Sequence, residues 1–195
     1  MTKNNLAIIV LNWNGADDAL ECISSLARQT LKPAIIIVDN HSHDDSVMRF
    51  EQYQTEHPSV DCIIIANNKN LGFAGGINTG LVYAREQGFE YIGVLNPDAV
   101  ADKKWCQALV DELSSQPKCG IVTGILQRRD GKTLDTTGDF YTTWGLPGPR
   151  NRDEPVENAP SKPGEVFGAT GGGAIYRAAI FDDIDMFDED FFMYY

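Results

Sequence analysis

The chain has 195 residues, a net charge of −12 and an apolar fraction of 43%, enough for one globular domain with a substantial core. The acidic balance argues against a nucleic-acid backbone as partner, which needs a surplus of Lys and Arg, and gives no electrostatic help toward an anionic membrane. Cys22, Cys62, Cys106 and Cys119 show no paired spacing, which argues against zinc and redox motifs and fits a reducing cytoplasm.

In chain order, Leu6 to Leu11 reads as a central strand, apolar on both faces. It is too short for a secretory leader or a membrane span. After a loop at Asn12 to Gly15, Asp17 or Asp18 opens a helix to about Gln29, with Leu20, Ile23, Leu26 and Ala27 on one face. Ala34 to Val38 is a second buried strand, followed by a helix from about Asp45 to Glu56 and a third strand at Asp61 to Ala66. Gly72-Phe73-Ala74-Gly75-Gly76 opens a helix that ends near Gly88, a left-handed cap. Tyr91 to Leu95 is the fourth strand, Lys103 to Ser115 a helix and Gly120 to Leu126 a further strand. This alternation predicts an α/β fold, a Rossmann-like, mostly parallel sheet flanked by helices in three layers. Past Arg128 the regularity fades. Thr136 to Pro163, with Pro147, Pro149, Pro155, Pro160 and Pro163, reads as an irregular segment that is functional or mobile. A glycine-rich strand at Val166 to Ile175 and a short helix at Ala178 to Ile180 follow. The closing run Phe191-Phe192-Met193-Tyr194-Tyr195 calls for a partner surface, so the chain is expected to be cut within a larger domain, the alternative being a final strand packed into the sheet.

The chemistry gathers where strands end. Pro97 cannot donate to a sheet ladder, so the fourth strand stops and Asp98 occupies a turn at its carboxyl edge, where ligand sites form in open α/β sheets. A carboxylate there suits a hard divalent cation and its phosphates. Asp39, at the end of the second strand, is placed to accept hydrogen bonds from a ribose or base, or to serve as a helix N-cap or turn residue. Trp13 can flank a nucleobase or anchor the first helix, and Asn12 can bond the edge of a base. Asn70-Leu71-Gly72-Phe73-Ala74-Gly75-Gly76-Ile77-Asn78 offers close backbone approach and helix-start N–H groups, or close helix–sheet packing. It is neither a dinucleotide fingerprint nor a phosphate loop with its Lys-Ser/Thr. The glycines at 171 to 173 need a reason, such as a ligand or a bulge. His41 and His43 read as surface residues in a solvated turn.

Together, Ile8 to Gly15, Val38-Asp39-Asn40, Asn70 to Asn78, Leu95-Asn96-Pro97-Asp98, Gly168-Ala169 with Gly172-Gly173, and Phe187 to Tyr195 resemble the family 2 inverting glycosyltransferases of the GT-A fold. Within it they resemble the bacterial subgroup that includes rhamnosyltransferases of cell-surface polysaccharides. The resemblance implies one GT-A domain over residues 1–195, with a nucleotide-sugar half at 1–100 and an acceptor-side half at 101–195. Asn12, Trp13, Asp39, Asn70, Gly72, Phe73, Gly75, Gly76, Asn78 and Asn96 would line the donor site, and Gly171 and Gly172 the acceptor side. Asn96-Pro97-Asp98 stands where the family carries an Asp-x-Asp metal motif, so Asp98 would hold Mg²⁺ or Mn²⁺, with one charge fewer because Asn96 fills the first position. The partners implied are a nucleotide-diphosphate sugar and a saccharide or lipid-linked acceptor. The location implied is the cytoplasm or the inner face of the cell membrane, with peripheral association through a part beyond Tyr195. The family's general base typically follows the Phe-Phe-Met-Tyr-Tyr segment and is expected beyond Tyr195, with Asp188 and Asp190 as substitutes inside the chain. The alternatives are a catalytically impaired sugar-nucleotide-binding module and a nucleotidyltransferase. The second is disfavoured because Asn12-Trp13-Asn14-Gly15 carries no Lys or Arg.

Overall fold

The computed structural model describes residues 5–193. The first half follows the expected alternation: β1 (Leu6–Asn12), α1 (Ala16–Ala27), β2 (Ala34–Asp39), α2 (Ser46–Glu56), β3 (Cys62–Ala66), α3 (Gly72–Glu86), β4 (Tyr91–Leu95) and α4 (Trp105–Ser115). Short strands follow at β5 (Ile121–Thr123), β6 (Leu126–Gln127), β7 (Leu134–Thr136), β8 (Asp139–Tyr141) and β9 (Pro147–Pro149), and then β10 (Gly173–Arg177).

Six strands form one sheet in the order β3-β2-β1-β4-β10-β5. The first four are parallel, with Asn12 level with Asp39 and Ile9 level with Val94. That register brings the ends of β1 and β2 to one edge. The apolar runs Leu6 to Val10 and Ala34 to Val38 are buried because helices cover both faces. Leu6, Ile8 and Val10 meet α1, Phe50 of α2, and Cys106, Leu109 and Leu113 of α4. Ala7 and Ile9 point the other way, to Ile77, Leu81 and Ala84 of α3. The split follows from the alternation of side chains along a strand.

Helix ends refine the reading. Gly15, not an aspartate, precedes α1, while Asp17 and Asp18 lie in its first turn, where carboxylates meet the helix dipole favourably. Gly88, at φ +73°, supplies the expected left-handed exit from α3.

Three expectations are corrected. The Gly120 to Leu126 strand is two pieces, because β5 joins the main sheet and β6 pairs with β7. The glycine-rich strand begins at Gly173, not Val166, and runs antiparallel between β4 and β5. Its three glycines therefore precede most of the strand. The segment Thr136 to Pro163 is not wholly irregular: it holds a hairpin, β8–β9, and a 3₁₀ turn at Val156–Asn158. The prolines were misleading because a two-stranded hairpin has free edges, where a missing N–H costs little.

Candidate functional site

The carboxyl edge of the parallel strands carries a polar network. Asp39 ends β2 and is almost wholly buried. Its Oδ1 accepts from Asn12 Nδ2 at 3.0 Å and from Ser42 Oγ at 2.6 Å, and its Oδ2 accepts from Ser42 N at 2.9 Å. Burying a carboxylate requires such donors. Asn12 is fully buried and its amide nitrogen is committed to Asp39 and Ser42. It orients Asp39 and does not present its amide nitrogen to a nucleobase; its Oδ1 has no partner. Trp13, by contrast, is exposed beside it. Asn14 joins the two loops, donating N–H to Ser42 Oγ at 2.9 Å and accepting from His43 N at 2.8 Å. His41 and His43 lie at the surface.

Asn40, not singled out from sequence, uses its whole amide. Nδ2 donates to Asn70 Oδ1 and Gly72 O, both at 2.9 Å, and Oδ1 accepts from Asn67 Nδ2 at 3.1 Å and Leu71 N at 3.0 Å. A buried amide with four satisfied bonds ties the end of β2 to the start of α3. Asn70 Oδ1 also takes the Gly72 N–H at 2.8 Å, and the Phe73 N–H donates to Phe192 O at 2.7 Å. These first N–H groups of α3 are therefore used within the chain and are not free for an anion.

The glycines of this stretch divide. Gly72, at φ +71°, lies so close to Phe192 that a methyl would collide with its carbonyl oxygen. A methyl on Gly76 would sit 2.5 Å from Leu11, and one on Gly75 2.8 Å from Leu71 and 3.6 Å from the Glu189 carboxylate. Gly76 thus serves close helix–sheet packing. Asn78 grips the end of the chain: Nδ2 donates to Phe187 O at 2.8 Å and Glu189 Oε1 at 3.1 Å, and Oδ1 accepts from Phe187 N at 3.0 Å. Both amide hydrogens and one lone pair of Oδ1 are used there.

A cleft of about 660 Å³ opens beside β4. Phe73 and Ala74 of α3, Asn96, Asp135, Asp139, Arg152, Thr170, Gly171, Tyr176 and residues of the closing segment line it. Asn96 N donates to Gly172 O at 3.0 Å, so the glycine run backs the Asn96 turn. Asp188 lines the cleft and Asp190 does not. The Asp190 N–H instead donates to Asp188 Oδ1 at 3.0 Å in a local turn, so the two do not alternate along a strand. Arg152 pairs with Asp135 at 2.9 Å. Burial pushes the Asp139 carboxyl above its usual range, with Asp135 adding to the shift and Arg152 opposing it.

Asp98 follows Pro97 in the predicted turn and is exposed. Arg129 reaches its carbonyl oxygen at 3.2 Å while pairing with Asp18 at 2.9 Å and Glu21 at 3.4 Å. Among the described residues no group of three His, Cys, Asp or Glu could hold a metal ion unaided. The donor set of one carboxylate and the nearby Asn96 amide still fits a Mg²⁺-type ion, which one or two carboxylates bind together with substrate phosphates and water. The cysteines take no part. Cys22, Cys62 and Cys106 are buried, and burial pushes the thiols of Cys22 and Cys106 up to about 12.

Residues 7–185 match the family model described as Glycosyl transferase family 2. The chain belongs to that family. This removes the nucleotidyltransferase alternative. Among curated relatives, this family 2 chain is 24% identical over 201 residues to the low-salt glycan biosynthesis hexosyltransferase Agl10 of Haloferax volcanii, covering 98% of this chain and 59% of that protein. It is 22% identical over 212 residues to the N-acetylglucosaminyl-diphospho-decaprenol L-rhamnosyltransferase of Mycobacterium tuberculosis, covering 97% and 66% respectively. It thus spans 59–66% of the length of these relatives. Among solved structures it resembles the mannosyltransferase PcManGT from Pyrobaculum calidifontis in complex with GDP-Man and Mn²⁺, with a TM-score of 0.69 at 16% identity over 95% of this chain and 48% of that one. It also resembles GalNAc-T7 with UDP, GalNAc and Mn²⁺, with a TM-score of 0.76 at 12% identity over 97% and 38%. The family 2 chain has the GT-A fold of these neighbours. No helix among its described residues is long and apolar enough to cross a membrane.

Proposed function

We propose that this chain takes a sugar from a nucleotide-diphosphate donor and transfers it, with inversion, to a hydroxyl of a saccharide or lipid-linked saccharide. The observation that carries the reading is the cleft at the carboxyl edge of β4, with Asn96 on its wall and Asp98 two residues further on. Rhamnose is the favoured sugar and a lipid diphosphate the favoured acceptor anchor. Both rest on the resemblance to the mycobacterial rhamnosyltransferase.

In this mechanism Trp13 flanks the nucleobase and the network around Asp39 holds the nucleoside. Because Asp39 already accepts three bonds, a nucleoside must use the remaining capacity of Oδ2 or displace Ser42. Asp98, with Asn96 nearby, would hold the divalent cation, which when bound supplies positive charge against the departing diphosphate. A carboxylate takes the proton of the acceptor hydroxyl as its oxygen forms the bond to the anomeric carbon. The bond from that carbon to the diphosphate oxygen breaks, and its electron pair leaves with the nucleoside diphosphate. Among the described residues Asp188, which lines the cleft, is the candidate for this base.

The test is calorimetry of nucleotide diphosphates with and without Mn²⁺. The metal should tighten binding, and a ligand at 100 times its Kd should raise stability by ~2.7 kcal/mol. Failure of every nucleoside diphosphate to bind in the presence of Mn²⁺ would overturn the proposal.

A further inference from the structure

The hairpin β8–β9 has no role in this chemistry beyond its base, yet its tip is the most exposed apolar feature among the described residues. Trp144 is 89% exposed, Leu146 65% and Phe167 74%, and Phe140 and Tyr141 are also exposed. The tip is an ordered turn. Thr142 N donates to Leu146 O at 2.9 Å, Gly145 N to Thr142 O at 3.0 Å and Leu146 N to Thr142 Oγ1 at 3.0 Å. The Tyr141 and Phe167 rings stack with centroids 5.2 Å apart, and Asp139 exchanges backbone hydrogen bonds with Gly168 at the base. Ordered exposure of several large apolar side chains marks an interaction surface.

We infer that this hairpin docks the chain onto a lipid bilayer, with Trp144 and Leu146 entering the interfacial layer of a zwitterionic surface. Three observations favour lipid over a protein partner. Residues 140–149 contain no Asp, Glu, Lys or Arg in a chain of net charge −12, so the tip is the part an uncharged apolar layer accepts without desolvating a charge. Trp and Tyr are the side chains that settle where water meets lipid. Pro147 and Pro149 remove N–H donors from β9, and Gly168 already pairs with β8 at Asp139, so neither edge invites strand addition by another chain. The position adds a fourth argument. Asp139, Pro149 and Arg152 at the base of the hairpin line the cleft. A bilayer at the tip therefore lies beside the cleft mouth, where the head of a membrane-anchored acceptor would enter.

The experiment measures partitioning of the protein onto phosphatidylcholine vesicles by co-sedimentation, and Trp emission with vesicles of brominated lipid. It contains no nucleotide sugar or acceptor, so its failure would leave the transferase reading standing. The chain should partition onto neutral vesicles, with emission shifted to the blue and quenched. Trp144→Ser and Leu146→Ser should each weaken partitioning by about tenfold, while Met48→Ser, at an exposed position on α2, should not change it. Both tip residues are solvent-exposed, so the variants should fold. The inference is overturned if the protein ignores neutral vesicles, if binding requires anionic lipid, or if the tip variants bind as well as the parent. Lipid-free self-association that Trp144→Ser abolishes would overturn it in favour of a second copy of the chain.

Discussion

Replacing Asn78 should release the end of the chain from α3. Its amide makes three hydrogen bonds to residues 187–189 and is 95% shielded, with an exposure of 5%. Asn78→Ala removes all three and leaves the Phe187 N–H and C=O without these partners. At a net 0.5–1.5 kcal/mol per bond, the cost should be about 1.5–4.5 kcal/mol, at the lower end if water enters. The loss is local, so hydrogen exchange is the direct assay. The amide of Phe187 should lose protection, and so should that of Phe73, which donates to Phe192 O on the same segment. Denaturant unfolding gives the global cost. Asn78→Asp is the sharper probe. It keeps an acceptor for the Phe187 N–H but sets a carboxylate against the Phe187 carbonyl and the Glu189 carboxylate. The new acid would have its folded pKa raised, so its penalty should be full at neutral pH and fade as pH falls through that pKa. Unchanged exchange at both amides, with a stability change below about 0.5 kcal/mol, would refute the reasoning.

Three further outcomes are expected. Asp98→Asn should abolish the Mn²⁺ dependence of nucleotide-diphosphate binding without altering the melting temperature, since its carboxylate makes no hydrogen bond among the described residues; calorimetry showing the same metal dependence would remove Asp98 from the metal site. Asp39→Asn should weaken nucleoside mono- and diphosphate binding alike by about 1.5–3 kcal/mol, with or without metal; a loss confined to metal-dependent binding would contradict its assignment to the nucleoside. Asp139, whose folded pKa is raised by burial, contributes stability that is present below its unfolded pKa and lost as pH rises through the folded one. Asp139→Asn should therefore raise the melting temperature at neutral pH, with the gain vanishing toward about pH 3; a pH-independent difference would argue against titration as the cause.

The parallel half of the fold was legible because its signals are local. Leu6 to Val10 and Ala34 to Val38 are apolar runs too short for helices, and Pro97 ends β4 by its own chemistry. The position of Asp98 followed from that. What was not legible depends on partners distant in sequence. Nothing near Gly173 says that it will pair antiparallel with Leu95. The structural partners of Asn12 and Asn78 are not legible because a side-chain amide is equally suited to a nucleotide and to groups of the protein itself. Only the fold shows that Asn78 meets Phe187 and Asn12 meets Asp39. Asn40 was visible beside Asp39, but its four bonds come from the loop that follows β3 and from Gly72 at the start of α3. The hairpin was hidden by prolines, which weaken a strand signal whether the strand is central or an edge.

The place of β10 in the sheet has a consequence for biosynthesis. Among the described residues, β5 pairs only with β10, and β4 pairs with β1 on one side and β10 on the other. As the chain leaves the ribosome, β4 emerges with one edge open, and β5 emerges with no strand to join. Both wait for Gly173 to Arg177, an interval of roughly 4–16 s for β4 and 3–11 s for β5 at ordinary elongation rates. During it the nascent chain presents the apolar edge Tyr91 to Leu95, the kind of template on which chains stick to one another. Truncations ending before Gly173 should therefore aggregate, and the shortest fragment able to close the sheet runs through Arg177.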